Sequence, residues 1–399
     1  MTLTYTAPAT AGGAVACPSR ERAPSVAAVL LLPLIDRVPV MAAPCRMHTS
    51  LDRISVSLAA WTREVGFDTP SAAGFDRMAG RAFAGFGLDA AVLFAKWLTW
   101  LFHFDDEWDE GPAGRAAGIV EATFARLEHH VARAPAGPPS RGPLARSPVR
   151  VPPEAPKTAE AARTREWGDG IASRSRALRP GPLHRLPAKE RDGRAAGTPA
   201  EAAFRDLWEA TAPRMSPRWR ERFAAGLAAQ KAACRTEAEN RCAGRVPRVT
   251  EYPALRRGTA GPYLFDLVEP CLGVEVPVEL RESPTWQTLM DACNDVTAWC
   301  NDVASHRKER ANGDVHNYVT VAAHASGLSD IDAVVWVNDR IAERAEDLRA
   351  AARRLPRLFD EFGLSPVEAR DASKVACAFL TAPRAQLEWL LESSRYGAA

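Results

Sequence analysis

Two polar clusters, each closing a strongly apolar helical stretch, constrain this chain more than any other feature. Residues 87–104 include Val92, Leu93, Phe94, Trp97, Leu98, Leu101 and Phe102, and are apolar almost all round. That pattern suits a helix enclosed by other helices. It runs directly into Asp105, Asp106, Glu107, Trp108, Asp109 and Glu110. A second apolar stretch starts behind Ser283 and Pro284, good cap and first-turn residues. It passes Trp286, Leu289, Cys293, Val296 and Cys300, then enters Asn301, Asp302, Val303, Ala304, Ser305, His306, Arg307, Lys308 and Glu309.

The remaining pattern is also helical. Leu51, Ile54, Leu58, Trp61 and Val65 recur at helical spacing, and 116–131 reads as a further helix. Regular patterning resumes near residue 202, with Phe204, Leu207, Trp208, Trp219, Phe223 and Leu227 carrying it to residue 241. A helix starting near Glu251 meets Gly258, Gly261 and Pro262, which should break or kink it. Helices over 331–355 and 366–393 finish the chain, and convincing strand alternation is absent. The fold class expected is all-α, a single large bundle.

Two segments fall outside that pattern. Residues 1–30 are rich in Ala, Thr, Ser and Pro and read as poorly ordered. Residues 134–200 hold Pro138-Pro139, Pro152-Pro153 and Pro180-Gly181-Pro182 among many arginines, which forbids a continuous helix and predicts a basic, disordered insertion. The domain division expected is a leader and N-terminal approach over 1–50, then one domain over 51–399 interrupted at 134–200. A net charge of +2 gives no global reason to expect nucleic acid. The eight cysteines form no Cys-x-x-Cys pair and read as reduced thiols of a cytoplasmic protein. The apolar stretch 26–35 is short and contains Pro33, so it makes a poor secretory signal. No run reaches the roughly 18 residues of a membrane span.

The clusters have the makings of a metal site. Asp105 and Asp109, four residues apart, share a helical face, while Asp106 lies roughly 100° round and reads as support. Carboxylates on an apolar helix end repel one another and are costly to desolvate, and a divalent cation removes that penalty. Asn301, Ser305 and Glu309 line one stripe at i, i+4 and i+8. All are hard oxygen donors, the kind Mg²⁺ prefers. Lys308 can meet a phosphate as a point charge. His103 and His306 neighbour the clusters but fall off both stripes.

On these residues the chain resembles a class I terpene synthase of the bacterial type. The family's Asp-Asp-x-x-Asp motif with a following Glu matches 105–110, and its Asn-Asp-x-x-Ser-x-x-Lys-Glu motif matches 301–309 without a gap. Tyr252-Pro253-Ala254-Leu255-Arg256-Arg257-Gly258-Thr259-Ala260-Gly261 is similar to the family's diphosphate-sensing stretch. The resemblance makes Arg256 the sensor rather than Arg257, Thr259 the linker, and Ala260 the effector whose carbonyl faces the substrate. Arg395-Tyr396 matches the family's C-terminal Arg-Tyr pair, and Trp389 falls where the family places a cavity tryptophan. The likeness covers 50–133 and 200–396. Residues 134–200 depart from it, since the family's usual connection there is much shorter, and the usual Pro-rich segment before residue 50 is poorly matched.

The resemblance implies a helical bundle with its active-site cavity between helices, and ionisation of a prenyl diphosphate, by default farnesyl diphosphate, followed by cyclisation. Three Mg²⁺ ions are implied: Asp105, with Asp109, would hold two, and Asn301, Ser305 and Glu309 the third. Lys308, Arg256 and Arg395 would neutralise the leaving diphosphate, and Tyr396 would donate to it. Aromatic faces stabilise cations, with Phe102 and Trp389 the first candidates, then Phe83, Phe86 and Trp299. A chain-elongating prenyltransferase is the nearest rival, though it should carry two Asp-rich motifs. A non-catalytic helical protein with a basic arm is the other. Product, substrate chain length and oligomeric state stay open, a homodimer being consistent with the family.

Overall fold

The computed structural model describes residues 28–42, 44–67, 73–109, 117–133, 198–393 and 395; of the side chains of Trp108 and Asp109, inside a helix, nothing is described. The readings of 1–27 as leader and of 134–197 as insertion lie outside these residues. Among the described residues there are α-helices and short 3₁₀ turns but no strand. In chain order the helices are α1 (Pro33–Arg37), α2 (Pro39–Ala42), α3 (Leu51–Val65), α4 (Phe75–Ala82) and α5 (Leu88–Asp109). Then come α6 (Ala117–Ala132), α7 (Pro199–Thr211), α8 (Pro217–Ala243), α9 (Tyr252–Thr259) and α10 (Val268–Leu272). The last five are α11 (Val278–Arg281), α12 (Pro284–Ala311), α13 (Tyr318–Ser326), α14 (Asp330–Glu361) and α15 (Pro366–Glu392).

Two helices organise the bundle. Helix α5 is enclosed by α3, α4, α7 and α10. Its Trp97 and Trp100 are fully buried. Burying an indole leaves one N–H to satisfy. Trp97 Nε1 donates to Thr211 Oγ1 at 3.1 Å and Trp100 Nε1 to the Ala200 carbonyl at 2.9 Å, which ties α5 to α7. Helix α12 packs against α9, α13, α14 and α15. It starts as the sequence predicts, with Ser283 Oγ accepting from Trp286 N at 3.2 Å and Pro284 in the first turn. Such a cap stabilises a helix by about 1 kcal/mol. Helix α5 runs into its polar cluster as far as Asp109, and α12 runs through the whole of its own.

The structure differs from the sequence reading at three places. The approach segment before residue 51 is helical over Ala28–Leu31, α1 and α2. Leu31, Leu34, Val38 and Met41 are buried at helical spacing, and Arg384 Nη1 donates to the Met41 carbonyl. Helix α7 begins at Pro199, inside the range assigned to the insertion, because Thr198 Oγ1 caps it by accepting from Glu201 N at 3.2 Å. Helices α4 and α13, eight and nine residues long, are too short for periodicity to mark them in the sequence.

The break after α9 is local stereochemistry. Helix α9 stops at Thr259, Gly261 takes the left-handed region at φ 80°, and a 3₁₀ turn follows over Pro262–Leu264. Gly258 sits so close to α8 that a Cβ there would lie 2.6 Å from Ala233 Cβ. Only glycine allows that approach. Among the described residues no helix is long and apolar enough to cross a membrane.

Candidate active site

A cavity of about 570 Å³, counting the space in its mouth, opens between α5, α9, α12 and α15. Its walls are mainly apolar: Met78, Leu98, Leu101, Phe102, Ala260, Leu264, Phe265 and Ala298. Asp105 from the first cluster, Asn301 from the second and Arg256 from the α9 stretch line this same space. Residues almost two hundred positions apart are therefore brought to one wall.

Arg256 is held by the second cluster. Its Nε donates to Asp302 Oδ1 at 2.8 Å and its Nη2 to Asn301 Oδ1 at 3.0 Å. Burial alone would lower the Arg256 pKa, but Asp302, Tyr252 and Asp105 outweigh it and keep the guanidinium firmly charged. Asp302 is itself fixed, accepting from Tyr252 Oη at 2.8 Å and from Tyr318 N at 3.2 Å. Arg257 turns the other way, to Asp295 at 2.7 Å, where Arg344 also donates at 2.8 Å. The adjacent arginines thus divide between the cavity and a buried ion-pair cluster.

Ser305 Oγ donates to the Asn301 carbonyl at 2.8 Å, and Glu309 Oε2 accepts from Asn317 Nδ2 at 2.8 Å. The same amide donates to the Asp302 carbonyl at 2.7 Å, so the loop before α13 braces the whole stripe. Burial pushes the Glu309 carboxyl up to about 7, with neighbouring Asp302 adding to the effect. Burial likewise pushes Asp105 to about 6, although Arg256 and Arg395 partly offset it. In both, loss of hydration on burial is the leading cause. Asn301, Ser305 and Glu309 on one stripe of α12, and Asp105 on α5, offer only hard oxygens, chemistry that suits a divalent cation.

The other predicted residues fall as follows. Arg395 donates to both oxygens of Asp106, at 2.6 and 2.5 Å, and its guanidinium lies 5.1 Å from the Phe102 ring centroid. Lys308 is half-buried on α12 beside Glu309. Thr259 is buried, its carbonyl accepting from Gln230 Nε2 at 3.2 Å, while Tyr263 Oη donates to Gln230 Oε1 at 2.9 Å. Tyr396 and the Asp109 side chain lie outside the described residues. Phe102 lines the cavity and stacks on Phe75 with centroids 4.9 Å apart.

Trp389 does not reach the wall. It is buried behind Phe75 and Phe102, because its indole N–H is held by the Ala73 carbonyl at 2.6 Å. Phe83, Phe86 and Trp299 pack elsewhere, Phe83 against Phe86 and Phe94 and Trp299 against Tyr318. His103 stacks on Phe67 with centroids 4.0 Å apart, and neither it nor His306 lines the cavity. Sequence reasoning gave no site role to Asp302 and Asn317, the brace of the second cluster. It also missed Asn294, Thr297 and Gln386, which line the cavity's inner wall. Asn294 and Thr297 were legible two turns and one turn before Asn301 on the same helix; Gln386 comes from a remote helix and left no signal.

Comparison with known proteins agrees with this arrangement. The family model described as "Terpene synthase family 2, C-terminal metal binding" matches residues 171–347. The chain is 26% identical to (-)-delta-cadinene synthase of Streptomyces clavuligerus over 338 residues, covering 83% of this chain and 85% of that protein. It is 25% identical to pristinol synthase of Streptomyces pristinaespiralis over 364 residues, 88% of this chain and 82% of that one. Among solved structures, germacradien-4-ol synthase from Streptomyces citricolor superposes with a TM-score of 0.63 at 22% identity, over 87% of this chain and 96% of that one, and so shares the fold. With both motifs on one cavity of an all-helical bundle, the chain is similar over most of its length to bacterial terpene synthases.

Proposed function

We propose that this enzyme is a Mg²⁺-dependent cyclase of a prenyl diphosphate, farnesyl diphosphate first among the candidates, acting in the cytoplasm. One observation carries this reading: Asp105, Asn301 and Arg256 share a cavity whose other walls are largely apolar. The charged end of such a substrate meets the polar rim, and its hydrocarbon tail the interior. Asp105 with Asp109, and Asn301 with Ser305 and Glu309, are the residues that would hold the metal, three ions by the family resemblance. Bound there, Mg²⁺ supplies Lewis-acid neutralisation of the diphosphate leaving group.

The chain's own residues do the rest. Arg256, Lys308 and Arg395 add positive charge at the rim, where charge develops as the ester bond breaks. Arg256 and Arg395 rest on Asp302 and Asp106, so diphosphate competes with carboxylates for guanidiniums already in place. Leu98, Leu101, Leu264 and Phe265 exclude bulk water from the cation left behind. Phe102, backed by Phe75 and Trp389, lines that space, and a desolvated cation–aromatic contact contributes about 2 kcal/mol. The test is incubation with C10, C15 and C20 prenyl diphosphates, with Mg²⁺ and with chelator. Released diphosphate and cyclic terpenes only with metal support the proposal, and no turnover of any of the three refutes it.

A further inference from the structure

Arg256 and Arg257 are neighbours on α9, yet two carboxylates of α12 hold them apart. Asp302 takes Arg256, and Asp295 takes Arg257, whose Nη1 donates to both of its oxygens at 2.8 and 2.7 Å. The two aspartates are seven residues apart, which puts them on one face of α12, two turns and about 10 Å from each other. Asp295 also accepts from Arg344 Nε of α14 at 2.8 Å, and Arg344 Nη1 reaches on to Asp347 at 2.7 Å. The Asp295 side chain is 1% exposed, against 28% for Arg257 and 24% for Arg344. Asp295 therefore joins α9, α12 and α14 at one buried carboxylate, and neither it nor Arg257 lines the cavity.

Helix α9 is eight residues long and ends at the break before Gly261. It packs against α8 and is tied to α12 through Tyr252, Arg256 and Arg257. Arg256 is the tie that diphosphate would draw on. Once its guanidinium turns from Asp302 to a phosphate oxygen, Tyr252 and Arg257 are the ties that still hold α9 to α12. A buried ion pair adds little net stability beside an apolar pair of the same volume; what it supplies is one fixed geometry. We propose that Asp295 is a positioning residue for Arg256: by gripping Arg257 against α12 and α14, it holds α9 in register while Arg256 exchanges Asp302 for diphosphate. The inference rests on the cyclase reading and extends its machinery to a residue that touches neither substrate nor metal.

Charge calls for the same division. Two adjacent guanidiniums would both be drawn to a diphosphate, and α9 would have to turn by roughly 100° to present one in place of the other. Asp295 engages the second guanidinium from inside the bundle, so that Arg256 is the one of the pair at the rim. Arg344 makes the grip firm. Burial alone would lower its pKa, but Asp295 and Asp347 outweigh it, so Asp295 is shared between two cations and keeps a partner when either one is lost.

The experiment is calorimetric titration of diphosphate, with Mg²⁺, into wild type, Asp295→Asn, Arg256→Gln and the double variant, with Tm measured for each. Asp295→Asn should weaken binding about ten-fold, the size of one charge-assisted hydrogen bond. Arg256→Gln should weaken it too, and adding Asp295→Asn should then weaken it no further, since the effect runs through Arg256. Arg257→Gln, which leaves Asp295 its Arg344 partner, should behave like Asp295→Asn and stands in if that variant fails to fold. A lowered Tm with diphosphate affinity equal to wild type, or tighter, would make the cluster purely structural; that overturns the inference and leaves the cyclase reading intact. A full added loss in the double variant also overturns it. If wild type binds no diphosphate in the presence of Mg²⁺, the cyclase reading falls and this inference with it.

Discussion

Asp302 decides where Arg256 points. Its two oxygens accept from Arg256, Tyr252 and the Tyr318 backbone, and it is 1% exposed. Asp302→Asn removes the counter-charge of a guanidinium that has little access to water. Breaking a buried pair from one side costs roughly 3–5 kcal/mol. Urea unfolding should show a loss of that order, and a variant as stable as wild type would refute the role. Asp314 acts one shell further out, in the loop whose Asn317 grips Glu309. Burial would raise its carboxyl, but His316, through ring and backbone N–H at 3.1 and 2.9 Å, and Arg241 at 3.0 Å hold it well below its usual 3.8. A depressed folded pKa means the folded state binds this proton more weakly than the unfolded chain. The stabilisation is therefore present above pH 3.8 and is lost as pH falls below it. Asp314→Asn should lower Tm at about pH 7, and the gap to wild type should close as the pH is taken down through that range. A gap that stays constant would contradict the assignment.

At the scale of the element, the α9 break sets the rim. Gly258 faces Ala233 across the α8–α9 contact, and a Cβ there would meet its Cβ at 2.6 Å. Gly258→Ala should push α9 off α8, costing about 1–3 kcal/mol by overpacking, and should displace Arg256 so that turnover drops. Ala233→Gly in the same chain returns the space and should restore turnover; failure to restore it would place the defect elsewhere. This break was legible because Gly258, Gly261 and Pro262 act locally, and so was the course of α5 and α12, whose apolar periodicity is long. Helices α4 and α13 were not legible, since eight or nine residues give periodicity too little length to stand out. Nor was the burial of Trp389: spacing puts an aromatic on a helix, while the Ala73 carbonyl that draws it off the cavity comes from 316 residues away.

Across the whole molecule, the segment ahead of α3 belongs to the core. Leu31, Leu34 and Met41 are fully buried, and Asn338 on α14 donates to the Leu30 carbonyl at 3.0 Å. Leu34→Ala should therefore cost about 2–5 kcal/mol in thermal or urea unfolding; a change near zero would mean this segment is dispensable. The polar composition of the residues just before masked this role, because the buried positions Leu31, Leu34, Val38 and Met41 begin only where that composition ends. The larger question is whether two motifs almost two hundred residues apart act as one. Mg²⁺-dependent binding of diphosphate, followed by calorimetry in wild type, Asp105→Ala, Asn301→Ala and the double variant, measures this directly. If Asp105 and Asn301 serve a single metal–diphosphate assembly, each single variant should abolish most of the binding and the double should lose little more. Losses that simply add, or a single variant that binds like wild type, would show that the two motifs do not form one site.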